Sequence, residues 1–322
     1  MPRLSIVIPC LGGGAEFDGT LVSVLQQRPT DCEVLVVHTA AYDDPYDLGG
    51  EVRFLQRPEQ RQVVELINEG VAAAAGEIIH VLGCGLEASE GWTQPALQHF
   101  DDLDVAAVSP LVLTGDSQIA AAGVRYSLGG TRRVVADRRL LSPGTARLRA
   151  GILGPTLAAG FYRRNVLAAL DGFDAQMGDY LADVDLALSL KALGRLHVCE
   201  PASRLVQAAN VHAHGAHSGF DSGRAAQRMF RRHAGTQGAA ALALYPFSLA
   251  GDLVRQGLGL SAAVSLVGRV AAALDLGQAT QQQERIDRAT QRLEELAELR
   301  ATIRMPTSLP AAVSTAAQRR AA

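Results

Sequence analysis

Residues Leu4–Val37 read LSIVIPCLGGGAEFDGTLVSVLQQRPTDCEVLVV, and their pattern decides the fold class. Leu4 to Ile8 is a short apolar, β-branched run closed by Pro9, which predicts a buried strand. Glu33 to Val37 predicts a second. Between them, residues 17–27 carry helical spacing, so the stretch is a strand, a crossover helix and a strand. Working outward, Val52 to Leu55 predicts another strand and Arg61 to Ala75 a helix closed by Gly76. Ile78 to Leu82 then predicts a buried strand. This alternation predicts a central, mainly parallel mixed sheet flanked by helices, with a ligand site at the carboxyl ends of the strands. Those ends are Pro9 to Gly14, His38 to Ala41 and Gly83 to Leu86.

A helix to about Phe100 and a strand at Val105 to Ser109 continue the pattern. The stretch from Thr114 to Thr145, rich in Gly, Arg and Ser, predicts a long excursion with short strands, and such excursions often carry function. His197 to Glu200 and Arg204 to His214 return to extended structure.

Ala159 to Leu193 reads AGFYRRNVLAALDGFDAQMGDYLADVDLALSLKAL. Arg163 to Leu170 has helical spacing, Gly172-Phe173-Asp174 predicts a turn, and a second helix is expected to begin near Asp183 and end at Gly194. Asp183 then lies in or just before a first helical turn. Two readings of it stand: a helix cap favoured by unpaired N–H groups and the helix dipole, or an acid–base group.

Composition sets the outer limits. A chain of 322 residues, 48% hydrophobic and 20% charged, can bury one large core or two smaller ones. A formal net charge of −3 argues against a general nucleic-acid binder. Cys10, Cys32, Cys84 and Cys199 are widely spaced without a CxxC pair, so neither a structural zinc site nor a disulfide framework is expected, and a reducing compartment is the default. The first residues lack the apolar run of a signal peptide. The loop Leu11-Gly12-Gly13-Gly14 follows a strand but fails GxGxxG at Phe17. No GK[ST] phosphate loop and no GxSxG elbow occurs.

Three organisational units are expected: 1–232 as the main domain, 233–304 as a helical C-terminal appendage, and 305–322 as a disordered tail. Gly238 to Leu276 is rich in Ala and Leu, yet Pro246 and charges at Asp252, Arg255, Arg269 and Asp275 argue against a clean membrane span. Packing on the main domain and lying on a membrane surface are both open. Within residues 281–304, Ile286, Leu293, Leu296, Leu299 and Ile303 form an apolar stripe suited to a helix or short coiled coil, and hence to self-association.

Two further clusters carry charge. Arg224, Arg228, Arg231 and Arg232 in SGRAAQRMFRRH fall near one helix face, readable as a solvated face or as a diphosphate contact. His212 and His214, in VHAHGAHS, share one face of a strand and are candidates for metal or phosphate.

The order of LSIVIPC, TLVSVLQQ, EVLVV, NEGVAAAAGEIIHVL, LVLTGDSQIAAAG, GFYRRNVLAALDGFD and DVDLALSLKALGR resembles family 2 glycosyltransferases of the GT-A fold, over about residues 3 to 232. The resemblance implies a nucleotide-sugar-binding α/β domain whose first two strands hold the donor, here at Pro9 and Thr39. It implies a DxD-type motif after the strand ending at Leu82, where this chain has Gly83-Cys84-Gly85, a degenerate motif. A hard cation such as Mg²⁺ or Mn²⁺ wants oxygen ligands, so metal dependence is doubtful here. Glu87 and Glu90 are nearby substitutes. A His at the end of the late strand is implied to approach the donor, which again points to His212 and His214. The family's acidic pair corresponds to Ala182-Asp183, which makes Asp183 the general base of an inverting transfer, with Asp185 supporting the helix or the acceptor pocket.

The expected activity is transfer of a sugar from a nucleotide-diphosphate sugar to a hydroxyl of a polysaccharide or lipid-linked glycan. The alternative is an inactive relative serving as a binding or scaffold protein. A cytoplasmic location, peripheral at the inner face of the membrane, is the accompanying expectation.

Overall fold

Leu4–Cys10 (β1) is buried along its whole length, as a strand covered on both faces must be. The computed structural model describes residues 2–12, 14–40, 42, 44, 46–60, 62–127, 131–140, 151–208, 219–237, 239–255, 260–273 and 277–304. Helix α1 (Ala15–Gln27) crosses to β2 (Cys32–His38), followed by β3 (Val52–Gln56), α2 (Val63–Ala73) and β4 (Ile78–Leu82). Strand side chains alternate between faces. Ile6, Ile8, Val34 and Val36 pack in one cluster with Phe17, Leu21 and Val24 of α1. Val7, Leu35, Val37 and Val81 pack in another with Val64, Leu66 and Ile67 of α2. Gly70 lets α2 settle on the sheet, because a Cβ there would stand 2.3 Å from a Val7 methyl.

The chain continues through β5 (Leu86–Ala88), α3 (Thr93–Gln98), β6 (Val105–Leu113), β7 (Gln118–Ala121), β8 (Val124–Tyr126), β9 (Arg132–Val134), β10 (Asp137–Leu140), β11 (Ala159–Arg163), α4 (Arg164–Ala169), α5 (Gly178–Ala192) and β12 (Leu196–Gln207). Four helices follow: α6 (Gly219–Gln237), α7 (Ala239–Arg255), α8 (Leu260–Ala273) and α9 (Gln278–Arg304). The main sheet runs β10-β7-β6-β11-β4-β1-β2-β3, and β12 adds to β6 and β5. β3, β2, β1 and β4 are parallel neighbours, while β11 inserts antiparallel between β4 and β6. The predicted mainly parallel mixed sheet is therefore present, with β8 and β9 as a separate two-stranded ribbon. His197 to Glu200 and the described part of the piece expected from Arg204 lie in one strand, β12; residues 209–214 of that piece lie outside the described residues.

The C-terminal helices pack on the sheet domain. Ile286 and Ala289 of α9 belong to the core cluster around α2 and α5. α6 and α8 cross at glycines: a Cβ on Gly223 would stand 2.0 Å from the Ser265 carbonyl oxygen, and one on Gly268 2.1 Å from that of Phe220. The boundary expected at Arg232 falls inside α6, and Arg232 itself is buried against Asp174 and Asp185 of the sheet domain. No single described helix is long and apolar enough to cross a membrane. Residues 305–322 lie outside the described residues.

Candidate active site

The helix carrying Asp183 starts at Gly178, five residues earlier than the sequence suggested. Asp183 is therefore interior to α5, and the capping reading fails for it. The carboxylate that does cap is Asp179, and it serves a different helix: its oxygens accept the backbone N–H groups of Val63 and Val64 at 3.1 and 2.8 Å, closing the N-terminus of α2. The preceding turn is fixed by Asn68 of α2, which donates to the Phe173 carbonyl at 2.7 Å and accepts the Phe173 N–H at 2.8 Å. Gly172, at φ 79°, is where that turn needs a glycine. These contacts fix the start of α5 and hence the height at which Asp183 and Asp185 emerge.

Asp183 has no side-chain exposure. Arg132, at the start of β9, grips it with a two-point fork, Nε to Oδ1 at 3.0 Å and Nη2 to Oδ2 at 2.6 Å. The backbone N–H of Leu157 donates to Oδ2 at 3.1 Å and that of Val184 to Oδ1 at 2.8 Å. Burial alone would lower the Arg132 pKa, but the hydrogen bonds and charge of Asp183 raise it overall. The guanidinium also lies over the Tyr180 ring, 5.5 Å from its centroid.

Asp183 is joined to the strand ends by a short relay. Leu157 donates to its carboxylate, and the next residue, Ala158, accepts the N–H of Gly83 at 2.7 Å. The base candidate and the turn after β4 are thus linked through adjacent residues of one loop. In that turn Gly85 has φ 84°, and a Cβ on Gly83 would stand 3.3 Å from Ala158. The Cys84 thiol donates to the Pro9 carbonyl at 3.2 Å. It also bonds with Cys10, a contact that raises the Cys84 thiol, with burial adding to the rise, and lowers that of Cys10.

A hard divalent cation does not fit these residues. The turn supplies backbone and one protonated thiol, and at Gly85 any side chain would be strained. Glu87 is half-buried on β5 against Gly19 of α1, Glu90 is exposed, and among the described residues no three His, Cys, Asp or Glu side chains converge.

Thr39, expected to meet the donor, ties two strand ends together: its N–H donates to the Cys10 carbonyl at 3.2 Å and its hydroxyl to that of Leu11 at 2.9 Å. Its hydroxyl oxygen keeps acceptor capacity only. His38 is buried, bonds through Nδ1 to the Ala40 carbonyl at 2.7 Å and lies edge-on to Tyr42 and Phe54.

Asp185 is fully buried and has three basic partners. Arg232 and His233 reach Oδ1 at 3.1 and 3.0 Å, and Arg285 reaches Oδ2 at 3.0 Å. Burial alone would raise its pKa, but the His233 hydrogen bond and the two guanidiniums hold the carboxyl well below the usual range. Of the arginine row on α6, Arg232 is the member drawn into this cluster, while Arg228 and Arg231 stay half-buried on the helix. His212 and His214 lie outside the described residues.

Sequence reasoning missed Arg132, His233 and Arg285. Arg132 sits in the Arg-rich excursion, and His233 follows the arginine row; Arg285 carried no local signal at all.

Residues 5–133 match the sequence model of glycosyl transferase family 2. Polypeptide N-acetylgalactosaminyltransferase 12 of Mus musculus is 28% identical over 126 residues, 35% of this chain and 21% of that protein. The Homo sapiens protein of the same name is 26% identical over 191 residues, 50% of this chain and 31% of that protein. The matched region thus spans between a fifth and a third of the curated relatives. Among solved structures, GalNAc-T7 with UDP, GalNAc and Mn²⁺ superposes with a TM-score of 0.55 at 15% identity, covering 72% of this chain and 48% of that one. Mannosyltransferase PcManGT from Pyrobaculum calidifontis, in complex with GDP-Man and Mn²⁺, superposes with a TM-score of 0.54 at 19% identity, covering 91% and 88%. The fold is that of the GT-A glycosyltransferases, and the resemblance to family 2 is shown.

Proposed function

We propose that this chain transfers a sugar from a nucleotide-diphosphate sugar to a hydroxyl of a polysaccharide or lipid-linked glycan, with inversion and with Asp183 as general base. The observation that carries the reading is the Leu157–Ala158 relay, which holds Asp183 beside the strand ends where a GT-A fold receives its donor. In the step itself, Asp183 takes the proton of the attacking hydroxyl as that oxygen bonds to the anomeric carbon and the nucleotide diphosphate departs. A base in that role contributes about 10²- to 10⁴-fold. Pro9, Thr39, Gly83 and Gly85 line the donor end. Arg228 and Arg231 on α6, with His212 and His214, are the remaining diphosphate candidates. Asp185 supports α5 from behind.

Both solved neighbours hold Mn²⁺. The donor set described above does not suit that ion, so donor binding is proposed to proceed without it, through side-chain cations.

One observation favours a second reading, a non-transferring binding or scaffold protein: Asp183 has no exposed side-chain surface and both its oxygens are engaged. A panel of UDP, GDP and dTDP sugars, offered with and without Mn²⁺, separates the two. Turnover that disappears in Asp183→Asn establishes the transferase; absence of any nucleotide-sugar binding or turnover defeats it.

The accompanying proposals are a cytoplasmic protein resting on the inner membrane face through α7 and α8, where Phe247, Val254, Leu260 and Val267 are exposed, and self-association along the exposed Leu296 and Leu299 of α9.

A further inference from the structure

We propose that Arg132 is a diphosphate-binding side chain of this site, and that the donor and Asp183 compete for its guanidinium. This rests on the transferase reading of the same site.

The argument starts from charge. A nucleotide diphosphate brings at least two negative charges, whereas in the Gly83-Cys84-Gly85 turn the Gly83 and Gly85 N–H groups already donate to the Ala158 carbonyl and the Thr20 hydroxyl, and the Cys84 thiol to the Pro9 carbonyl. A cation has to come from a side chain. Arg232 and Arg285 are committed to Asp185. Arg132 is held at the other carboxylate of α5, the one joined to the Gly83 turn through Leu157 and Ala158.

Its present partner is informative about what else it can hold. A guanidinium fork that fits two carboxylate oxygens also fits two phosphate oxygens, since both are planar two-point contacts at similar distances. The Arg132 side chain keeps 14% exposure whereas that of Asp183 keeps none, so an anion reaches the arginine before the carboxylate. Among the described residues its Nη1 makes no hydrogen bond, leaving donors for an incoming oxygen.

Exchange of partners has a second effect. When Arg132 turns to the diphosphate, Asp183 keeps the Leu157 and Val184 N–H bonds but loses its cation, and a carboxylate without its cation is the stronger base. Donor binding and base activation then become one event, which makes the ion pair a reversible guard on Asp183.

Calorimetric titration of the full chain with inorganic pyrophosphate, in EDTA, tests this. Arg132→Met is expected to weaken binding by about tenfold or more, while Asp183→Asn, which removes the competitor, tightens it by about tenfold. A purely structural ion pair gives no opposite signs, so Asp183→Asn binding that is unchanged or weaker overturns the proposal. Unchanged affinity in Arg132→Met, or no pyrophosphate binding by any form, overturns it as well.

Should Asp183→Asn not fold, the wild-type chain provides the readout. The Arg132 Nε–H resonance, assigned with Arg132→Lys, shifts on adding pyrophosphate, and a resonance that stays fixed refutes the exchange. Sugar transfer by the wild-type chain with pyrophosphate affinity indifferent to Arg132→Met leaves the transferase reading intact and removes only this proposal.

Discussion

Arg285, on the last described helix, places its Nη1 3.0 Å from the Asp185 Oδ2 on α5, a hundred residues earlier in the chain. The same guanidinium donates to the Leu170 carbonyl at 2.9 Å and the Gly172 carbonyl at 2.7 Å, so one side chain joins α9 to both ends of the turn before α5. The C-terminal helices are therefore part of the structure that holds the candidate site. Breaking a buried pair by removing one partner costs about 3–5 kcal/mol. Asp185→Ala and Arg285→Met are each expected to lower unfolding free energy by that order, read in urea. A midpoint unchanged in both would show the cluster to be energetically idle.

The same cluster has a pH signature. The Asp185 carboxyl is depressed in the folded chain, so its contribution is complete above the unfolded pKa of about 4 and is lost as pH falls below it. Stability in Asp185→Asn should therefore vary less with pH below about 4 than that of the wild type; identical slopes would contradict the assignment.

Two histidines act at milder pH. His80 is fully buried, donates from Nδ1 to the Gly160 carbonyl at 3.1 Å, and accepts the Trp92 indole N–H on Nε2 at 3.1 Å. Burial lowers its pKa to about 3, and lowers that of His197 on β12 to about 4. The unfolded chain binds these protons from about pH 6.5, so the folded state loses stability as pH falls from there toward the folded values, by about 1.4 kcal/mol per unit per group. His80→Phe should flatten the acid limb of a stability curve by one group's share. A curve of unaltered slope would mean that His80 titrates normally.

The turn after β4 resists repair. Gly85 at φ 84° and Gly83 against Ala158 leave little room for carboxylates. The double substitution Gly83→Asp, Gly85→Asp is expected to destabilise the chain by about 1–3 kcal/mol without conferring Mn²⁺ affinity. Tight Mn²⁺ binding by that variant, followed by electron paramagnetic resonance, would show that the backbone adapts.

Exposed apolar side chains on α7 and α8, with Phe247 at 76% and Leu260 at 83%, predict vesicle binding. Flotation with anionic liposomes should carry the wild-type chain, and Phe247→Ser with Leu260→Ser should release it. Wild-type protein that stays at the bottom of the gradient would dispose of the membrane proposal.

Much of the fold was legible because strands buried on both faces write themselves as unbroken apolar runs. Leu4 to Ile8, Glu33 to Val37 and Ile78 to Leu82 each became a strand, with α1 and α2 between them. Helix starts were harder. The sequence put the start of α5 near Asp183, because a carboxylate before an apolar run reads as a cap; Asp179 caps instead, across space, on α2. Such a contact joins positions 115 and 116 residues apart and has no local pattern.

The α/β order, the resemblance to family 2 glycosyltransferases and the two aspartates to watch were all legible in the residues themselves. What those aspartates touch is set by the tertiary structure. Their side chains are two residues apart on α5, yet Asp183 is turned to Arg132 and the Leu157 N–H, while Asp185 is sealed among Arg232, His233 and Arg285. The reason is geometric: helical neighbours two apart point to different sides. Which partners each side meets depends on strands and helices that the local sequence does not encode.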